Sequence, residues 1–375
     1  MRDLSGVHRV VVKIGTNVLT AAGALDDDYI DTVASQVAEL VSGGRQVLLV
    51  SSGAIGMGAR ELGLEHKVST VTMRQACAAI GQPLLMNSYR RAFASRNMEV
   101  AQVLLTREVL DRRKSYVNLR NAVESLLSLG VVPIFNENDS ISTEEIGTAF
   151  GDNDRLSALV ASKVDAELLV MLTDIDALYD SDPRKNPGAR PVRTVEKLTE
   201  DIEEMAGAAG SAFATGGMRT KLAACAIAEK AGCQVILAHG REDGVLPRVL
   251  AGEELGTLFL AGRKLKNRTR WIMNAEPQGV ITIDAGALAA IRRHNSLLPT
   301  GITEVEGMFE AGEVVKVRCP GCGDVEIKLV SGLNSRDLSQ VVGQRSEQVA
   351  ERLGPGARDI VARPEDIVFI DEQDR

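Results

Sequence analysis

No hydrophobic run in this sequence approaches the roughly 18 residues that a membrane-crossing helix requires, so no such helix is expected. The first residues, MRDLSGVHRVVVKIG, go straight into a strand pattern and lack a signal peptide's apolar core and cleavage site. Cysteine is sparse and odd in number, five residues scattered along the chain, which fits a reducing, cytoplasmic setting. Cys319-Pro320-Gly321-Cys322 has the form of half a zinc ribbon, but there is no second pair. A structural turn, or a thiol pair open to oxidation, is therefore the better reading. The four histidines, His8, His66, His239 and His294, lie too far apart for a metal-ligand spacing. Also missing are a GxxxxGK[ST] loop, the HRD and DFG segments of protein kinases, and a GxSxG elbow. The net charge, 43 − 51 = −8, disfavours nonspecific attraction to nucleic acid or anionic membrane. There is no low-complexity tract and no repeat of short period.

What is present is an ordinary globular composition, 45% hydrophobic and 25% charged, over 375 residues, enough for two domains. Short apolar runs at 10–14, 46–50, 100–105, 131–135, 168–172, 235–238 and 257–260 read as buried strands. Between them lie helical patterns: one carries Ile30, Val33, Val37 and Leu40 on one face, and a long one over 73–96 is expected to be interrupted near Pro83. Strands alternating with helices predict an α/β fold: a mainly parallel sheet covered on both faces, hence three layers. Residues 262–270, GRKLKNRTR, hold five basic residues in nine and read as a linker or exposed surface. Beyond them the rhythm changes to short strands at 280–284, 313–317, 325–330 and 368–370, with a helix at 285–294. The expected organisation is a first domain over 1–261, a linker over 262–275 and a small β-rich domain over 276–375.

The most unusual stretch follows the strand at 131–135. Residues 136–157, NENDSISTEEIGTAFGDNDRLS, carry six carboxylates in 22 residues, with Arg155 as the one cation. Such a run is either a solvated loop or a site for something cationic. The alternation with Asn136, Asn138 and Asn153 adds amide donors and acceptors, and Asp152 and Asp154 straddle Asn153 just before a helical pattern. A magnesium-nucleotide site would need a loop of this kind, with lysines supplied from elsewhere. Lys13, near the end of the first strand, either snorkels to water or points into a crevice at the sheet's carboxyl edge. Gly15 after it would let backbone N–H groups approach a phosphate. Residues 51–58, SSGAIGMG, read equally as an anion cradle or a tight strand-to-helix turn. The loop at 214–221 is more specific: Gly216 and Gly217 free the backbone, Thr215 and Thr220 offer hydroxyls, and Lys221 brings charge to a helix N-terminus. The missing catalytic histidine fits a phosphotransferase whose acceptor is a carboxylate, because a glutamate side chain with a pKa of about 4.3 is already ionised at pH 7. Catalysis then reduces to positioning and charge neutralisation.

These segments carry a resemblance. VVVKIGTNVLT at 10–20, SSGAIGMG at 51–58, NENDS at 136–140, FGDNDRLSA at 150–158, LTDIDALYDSDPR at 172–184 and TGGMRTKL at 215–222 together resemble the amino acid kinase family, in particular its glutamate-phosphorylating branch. The C-terminal part, with WIMNAEPQGVITIDAGALAAI and LLPTGITEVEGMFEAGEVV, resembles the PUA domain appended in that branch. The resemblance runs in order over nearly the whole chain. It implies phosphorylation of the L-glutamate side chain by ATP, with Mg²⁺, to give γ-glutamyl phosphate and ADP, the first step of proline biosynthesis. Residue by residue, it implies that Lys13 and Lys221 sit on the phosphates and that Asp154 holds them. It implies that Ser52, Asp139, Asn153 and Asp152 bind glutamate. Thr173 and Asp174 would begin the nucleotide-binding segment, which Thr215, Gly216, Gly217, Met218, Arg219, Thr220 and Lys221 continue; no side chain is implied as a dedicated metal ligand. Proline is the implied inhibitor, acting through the loop between Asp139 and Gly151, which is somewhat longer here than in enteric forms. A homodimer or homotetramer is implied, as is hand-over of the labile acyl phosphate to the next enzyme of proline synthesis.

Three other readings remain open. Another acceptor in the same family (N-acetylglutamate, aspartate, carbamate or a nucleoside monophosphate) is disfavoured by NEND, GDND and the tail. RNA binding by the tail is disfavoured by its charge, 11 basic against 17 acidic residues over 276–375, or 11 − 17 = −6. A catalytically dead regulatory subunit is disfavoured by the presence of every lysine and acid named above.

Overall fold

Eight strands form one sheet. They are β1 (Arg9–Ile14), β2 (Gln46–Val50), β3 (Val100–Leu105), β4 (Val132–Glu137), β5 (Leu168–Thr173), β6 (Thr194–Val195), β7 (Gln234–His239) and β8 (Thr257–Phe259). Their order is β6-β8-β7-β5-β1-β2-β4-β3. Every neighbouring pair is parallel except β7 with β8. The computed structural model describes residues 1–21, 23–64, 68–111, 113–141, 153–183, 186–202, 205, 217–323, 325–354, 356 and 358–370. Contacts divide the chain into two compact units, residues 1–110 with 114–264, and residues 265–375 with 111–113. Among the described residues, no helix is long and apolar enough to cross a membrane.

Strand alternation gives the first unit a core on each side of the sheet. Val10, Val12 and Ile14 face one core with Ile30, Val33 and Val37 of α1 (Asp27–Ser42), and with Leu85, Tyr89 and Phe93 of α3 (Val71–Ala94). Val11, Leu48, Val50, Leu169 and Met171 face the other, with Leu156, Leu159 and Val160 of α4 (Asn153–Lys163) and Leu222, Ala224 and Cys225 of α5 (Met218–Lys230). The sheet is therefore the middle of three layers, as its uninterrupted apolar strands predict. Lys13 shares the face of Val11, and so points toward the side on which α4 and α5 pack. Register places it beside Val50 of β2 and Met171 of β5.

Between β2 and α3 lies the short helix α2 (Ala54–Glu61), entered through Gly53 in the left-handed region at φ 96°. A Cβ on Gly58 would lie 1.8 Å from the Cys77 carbonyl oxygen, and one on Gly81 1.8 Å from that of Ala54. The two helices thus meet backbone to backbone. Gly58 thus serves helix packing. The interruption expected near Pro83 does not occur: α3 runs unbroken from Val71 to Ala94. Pro83 lies on the exposed face, where a carbonyl left without its amide partner can meet water, while Leu85, Tyr89 and Phe93 anchor the other face.

The second unit has a five-stranded sheet, with Ile302–Gly307, Gly279–Ile283, Val314–Arg318, Ile327–Val330 and Ile367–Phe369 in that order. Its own core includes Ile281, Ile283, Leu288, Val315, Val317 and Leu329. The edge strand Ile302–Gly307 is absent from the sequence reading, because its residues are mostly polar and exposed and carry no apolar alternation. The stretch at 262–275 contains the helix Asn267–Asn274, with Arg270, Trp271 and Ile272 buried. Cys319 and Cys322 are joined in a disulfide, while Cys77, Cys225 and Cys233 are free and buried.

Candidate active site

Parallel strands bring their carboxyl ends to one edge of the sheet, where open α/β sheets bind ligands. The ends of β1, β2, β4 and β5 all contribute there. Lys13, one residue before the end of β1, reaches α4, and its Nζ lies 2.5 Å from Asp154 Oδ1. From the N-terminal turn of α5, Lys221 Nζ donates to Asp154 Oδ2 at 3.1 Å, and Thr220 Oγ1 donates to the same oxygen at 3.0 Å. All three charged groups are withdrawn from water: Lys13 is 7% exposed, Lys221 6% and Asp154 1%. Burial works to raise the Asp154 carboxyl, yet the two ammonium groups and their hydrogen bonds outweigh it and hold it below the ordinary carboxylate range. Its place in the first turn of α4 helps, because a helix N-terminus favours negative charge. Two buried ammonium groups thus meet at one carboxylate at the strand ends, with the Asp174 carboxyl close enough to feel Lys221.

The surroundings keep that edge open. Gly15, whose N–H donates to the Leu172 carbonyl, has no side chain to crowd the Lys13 ammonium; a Cβ there would lie 3.6 Å from Nζ and 3.2 Å from the Leu172 oxygen. At the end of β5, Asp174 accepts from Asn17 Nδ2 at 2.8 Å and from Thr173 Oγ1 at 3.0 Å. Partial burial pushes this carboxyl up, but those hydrogen bonds bring it below its usual value. Gly217 is the N-cap residue of α5, Met218 packs on the core and Arg219 is exposed. Asp152, Thr215 and Gly216, expected at the site, lie outside the described residues.

Beside the charged cluster is a cavity of about 230 Å³, lined by Thr16, the 52–56 turn, Arg74, Asn136, Glu137, Asp139 and Asn153. Its size suits an amino acid better than a nucleotide. One amide organises the wall: Asn153 Nδ2 donates to the Ser51 carbonyl at 2.7 Å, to Ser52 Oγ at 2.9 Å and to Asn136 Oδ1 at 3.1 Å. Asn136 in turn donates to Gln82 Oε1 at 2.8 Å, and its Oδ1 also accepts from the Glu137 N–H at 2.9 Å. Burial raises the Asp139 carboxyl to about 6, against the pull of the nearby Arg74 guanidinium. The structure therefore brings Ser52, Asp139 and Asn153 onto one cavity, and Lys13, Asp154 and Lys221 into one cluster next to it. Sequence reasoning missed Arg74, Gln82 and the bracing role of Asn136. Arg74 and Gln82 sit inside a long helical pattern that has no local mark of a site.

A carboxylate clamped by two buried lysines at the carboxyl edge of a parallel sheet defines a phosphate-handling α/β enzyme, and the comparisons agree. Residues 8–239 match the Amino acid kinase family and residues 279–352 match the PUA domain; the chain belongs to the amino acid kinase family. It is similar to proteins named glutamate 5-kinase. The one from Methanosarcina acetivorans is 44% identical, covering 97% of each chain; the one from Geobacter sp. M21 is 43% identical, covering 98% of this chain and 99% of the relative. Among solved structures, the carbamate kinase from Giardia lamblia bound to AMP-PNP superposes with a TM-score of 0.51 at 18% identity, over 68% of this chain and 99% of that one, a likeness of fold.

Proposed function

We propose that this chain transfers the γ-phosphoryl group of ATP to the side-chain carboxylate of L-glutamate, giving γ-glutamyl phosphate and ADP, the first step of proline biosynthesis. The observation that carries the reading is the buried Lys13–Asp154–Lys221 cluster beside an amino-acid-sized cavity. The full-length likeness to glutamate 5-kinases supports the choice of acceptor.

In this reading the acceptor carboxylate is already ionised, needs no general base and attacks phosphorus in line. Lys13 and Lys221 neutralise the charge that spreads over the transferring group, and Asp154 keeps the two ammonium groups from repelling one another. Ser52, Asp139, Asn153 and Asp152 hold glutamate. Thr173, Asp174 and the 215–221 segment receive the nucleotide. Kinases of this family use a divalent metal such as Mg²⁺ with ATP. Both Asp154 oxygens are taken by Lys13, Lys221 and Thr220, and both Asp174 oxygens accept hydrogen bonds. Mg²⁺ is taken as carried on the nucleotide phosphates, where it would neutralise charge. We further propose residues 1–261 as the catalytic domain, 276–375 as the PUA-like domain, the chain as a cytoplasmic homodimer or homotetramer, and proline as its inhibitor.

The test is turnover with ATP and Mg²⁺ against glutamate, N-acetylglutamate and aspartate, with the acyl phosphate trapped by hydroxylamine. Hydroxamate from glutamate alone, suppressed by added proline, is expected. Hydroxamate from another acceptor would move the substrate, and insensitivity to proline would remove the inhibition.

A further inference from the structure

We propose that Arg74 selects the α-carboxylate of the acceptor and thereby fixes which of glutamate's two carboxylates is phosphorylated. This rests on the reading of the cavity as the glutamate site. Among the described residues lining that cavity, Arg74 is the one cation, and Glu137 and Asp139 are the acids. It closes the first turn of α3, whose N-cap residue Thr70 accepts from the Met73 N–H at 3.2 Å. Further along α3, the glycine contact with α2 fixes the helix against the 52–56 wall of the same cavity. The guanidinium is thus mounted on a rigid element, and among the described residues no ion pair or side-chain hydrogen bond engages it. Its electrostatic neighbour is Asp139, whose carboxyl it draws down against burial.

A glutamate molecule presents an ammonium and a carboxylate on one carbon, and a second carboxylate two methylenes away. A guanidinium beside a carboxylate complements the first pair: Arg74 faces the α-carboxylate through its planar fork, and Asp139 faces the α-ammonium. Thr16 and Asn153, which also line the cavity, stand three residues from Lys13 and next to Asp154 in the chain. Anchoring the α-carbon at Arg74 and Asp139 therefore sends the side-chain carboxylate toward the lysines. In the reverse pose the ammonium would face the lysines, which like-charge repulsion disfavours.

The experiment compares L-glutamate with 4-aminobutyrate, which lacks the α-carboxylate, and with glutarate, which lacks the ammonium, each as substrate or as competitive inhibitor. The wild-type chain should prefer glutamate to 4-aminobutyrate by about a hundredfold in KM or Ki. Arg74→Gln should raise KM for glutamate by about that factor, leave kcat within about threefold, and leave the constant for 4-aminobutyrate unchanged. Arg74→Lys should recover part of the loss, and Asp139→Asn should reduce discrimination against glutarate. Equal losses for glutamate and 4-aminobutyrate in Arg74→Gln, or no change in KM, would overturn the assignment, as would a wild type indifferent to the α-carboxylate. A wild type that makes no hydroxamate from glutamate at all would instead sink the acceptor reading, and this assignment with it.

Discussion

At the scale of single residues, the site concentrates its energetics on Asp154. Replacing Lys13 or Lys221 by Ala should lower kcat by about 10²–10³, the cost of losing one preorganised charge partner in the transition state. Turnover within tenfold of wild type in the hydroxamate assay would end that role. Asp154→Asn should cost more than activity, because it leaves two buried ammonium groups without their counter-ion; about 3–5 kcal/mol of stability should be lost in urea titration. The pH dependence follows from the sign of the shift. The native Asp154 carboxyl lies below its ordinary 3.8, so its contribution is complete above that pH and is lost as pH falls through the native value. The wild type should lose stability over that acid range and Asp154→Asn should not. Asp139 behaves oppositely. Its native value of about 6 exceeds the ordinary 3.8, so the folded state binds the extra proton and stability declines as pH rises between those values. Asp139→Asn should remove that decline. Glutamate KM should rise as pH falls below about 6 in the wild type and stay flat in the variant. Asp139 was singled out by the resemblance that its NENDS segment carries; Arg74 was not, because a lone arginine in a helical pattern looks like any solvated one.

At the scale of elements, the α2–α3 crossing decides where the cavity wall stands. Gly58→Ala or Gly81→Ala would drive a Cβ into a carbonyl oxygen 1.8 Å away, so the helices must separate. Each should cost about 1–3 kcal/mol and raise glutamate KM, since Ser52, Gly53 and Arg74 move with those helices. Gly56→Ala is the matched control: a Cβ there meets nothing within 4 Å, and stability should hold or rise by about 0.5–1 kcal/mol. Equal effects on thermal unfolding at Gly56 and Gly58 would defeat this account. Helices and buried strands were readable because periodicity is a local property. The edge strand Ile302–Gly307 and the unbroken passage of α3 through Pro83 were not, because neighbouring structure and solvent decide both.

At the scale of the whole molecule, each unit has its own apolar cores, two in the first and separate ones in the second. Calorimetry should therefore resolve two transitions, and ATP with Mg²⁺ should raise only the one belonging to the unit that carries Lys13, Asp154 and Lys221. A single transition that moves as a whole would show that the units unfold together. The sequence by itself determined the α/β class, the β-rich tail, the family and the loops at the strand ends. These follow from patterns a few residues long and from motifs kept in order. Only the tertiary structure decided that residues 13, 154 and 221 share one buried charge cluster, that Asn153 braces Ser52 and Asn136, and that Arg74 and Asp139 line one cavity. Those contacts join distant parts of the chain. They depend on parallel register, on the face to which Lys13 points and on a glycine crossing of two helices, which no local pattern encodes.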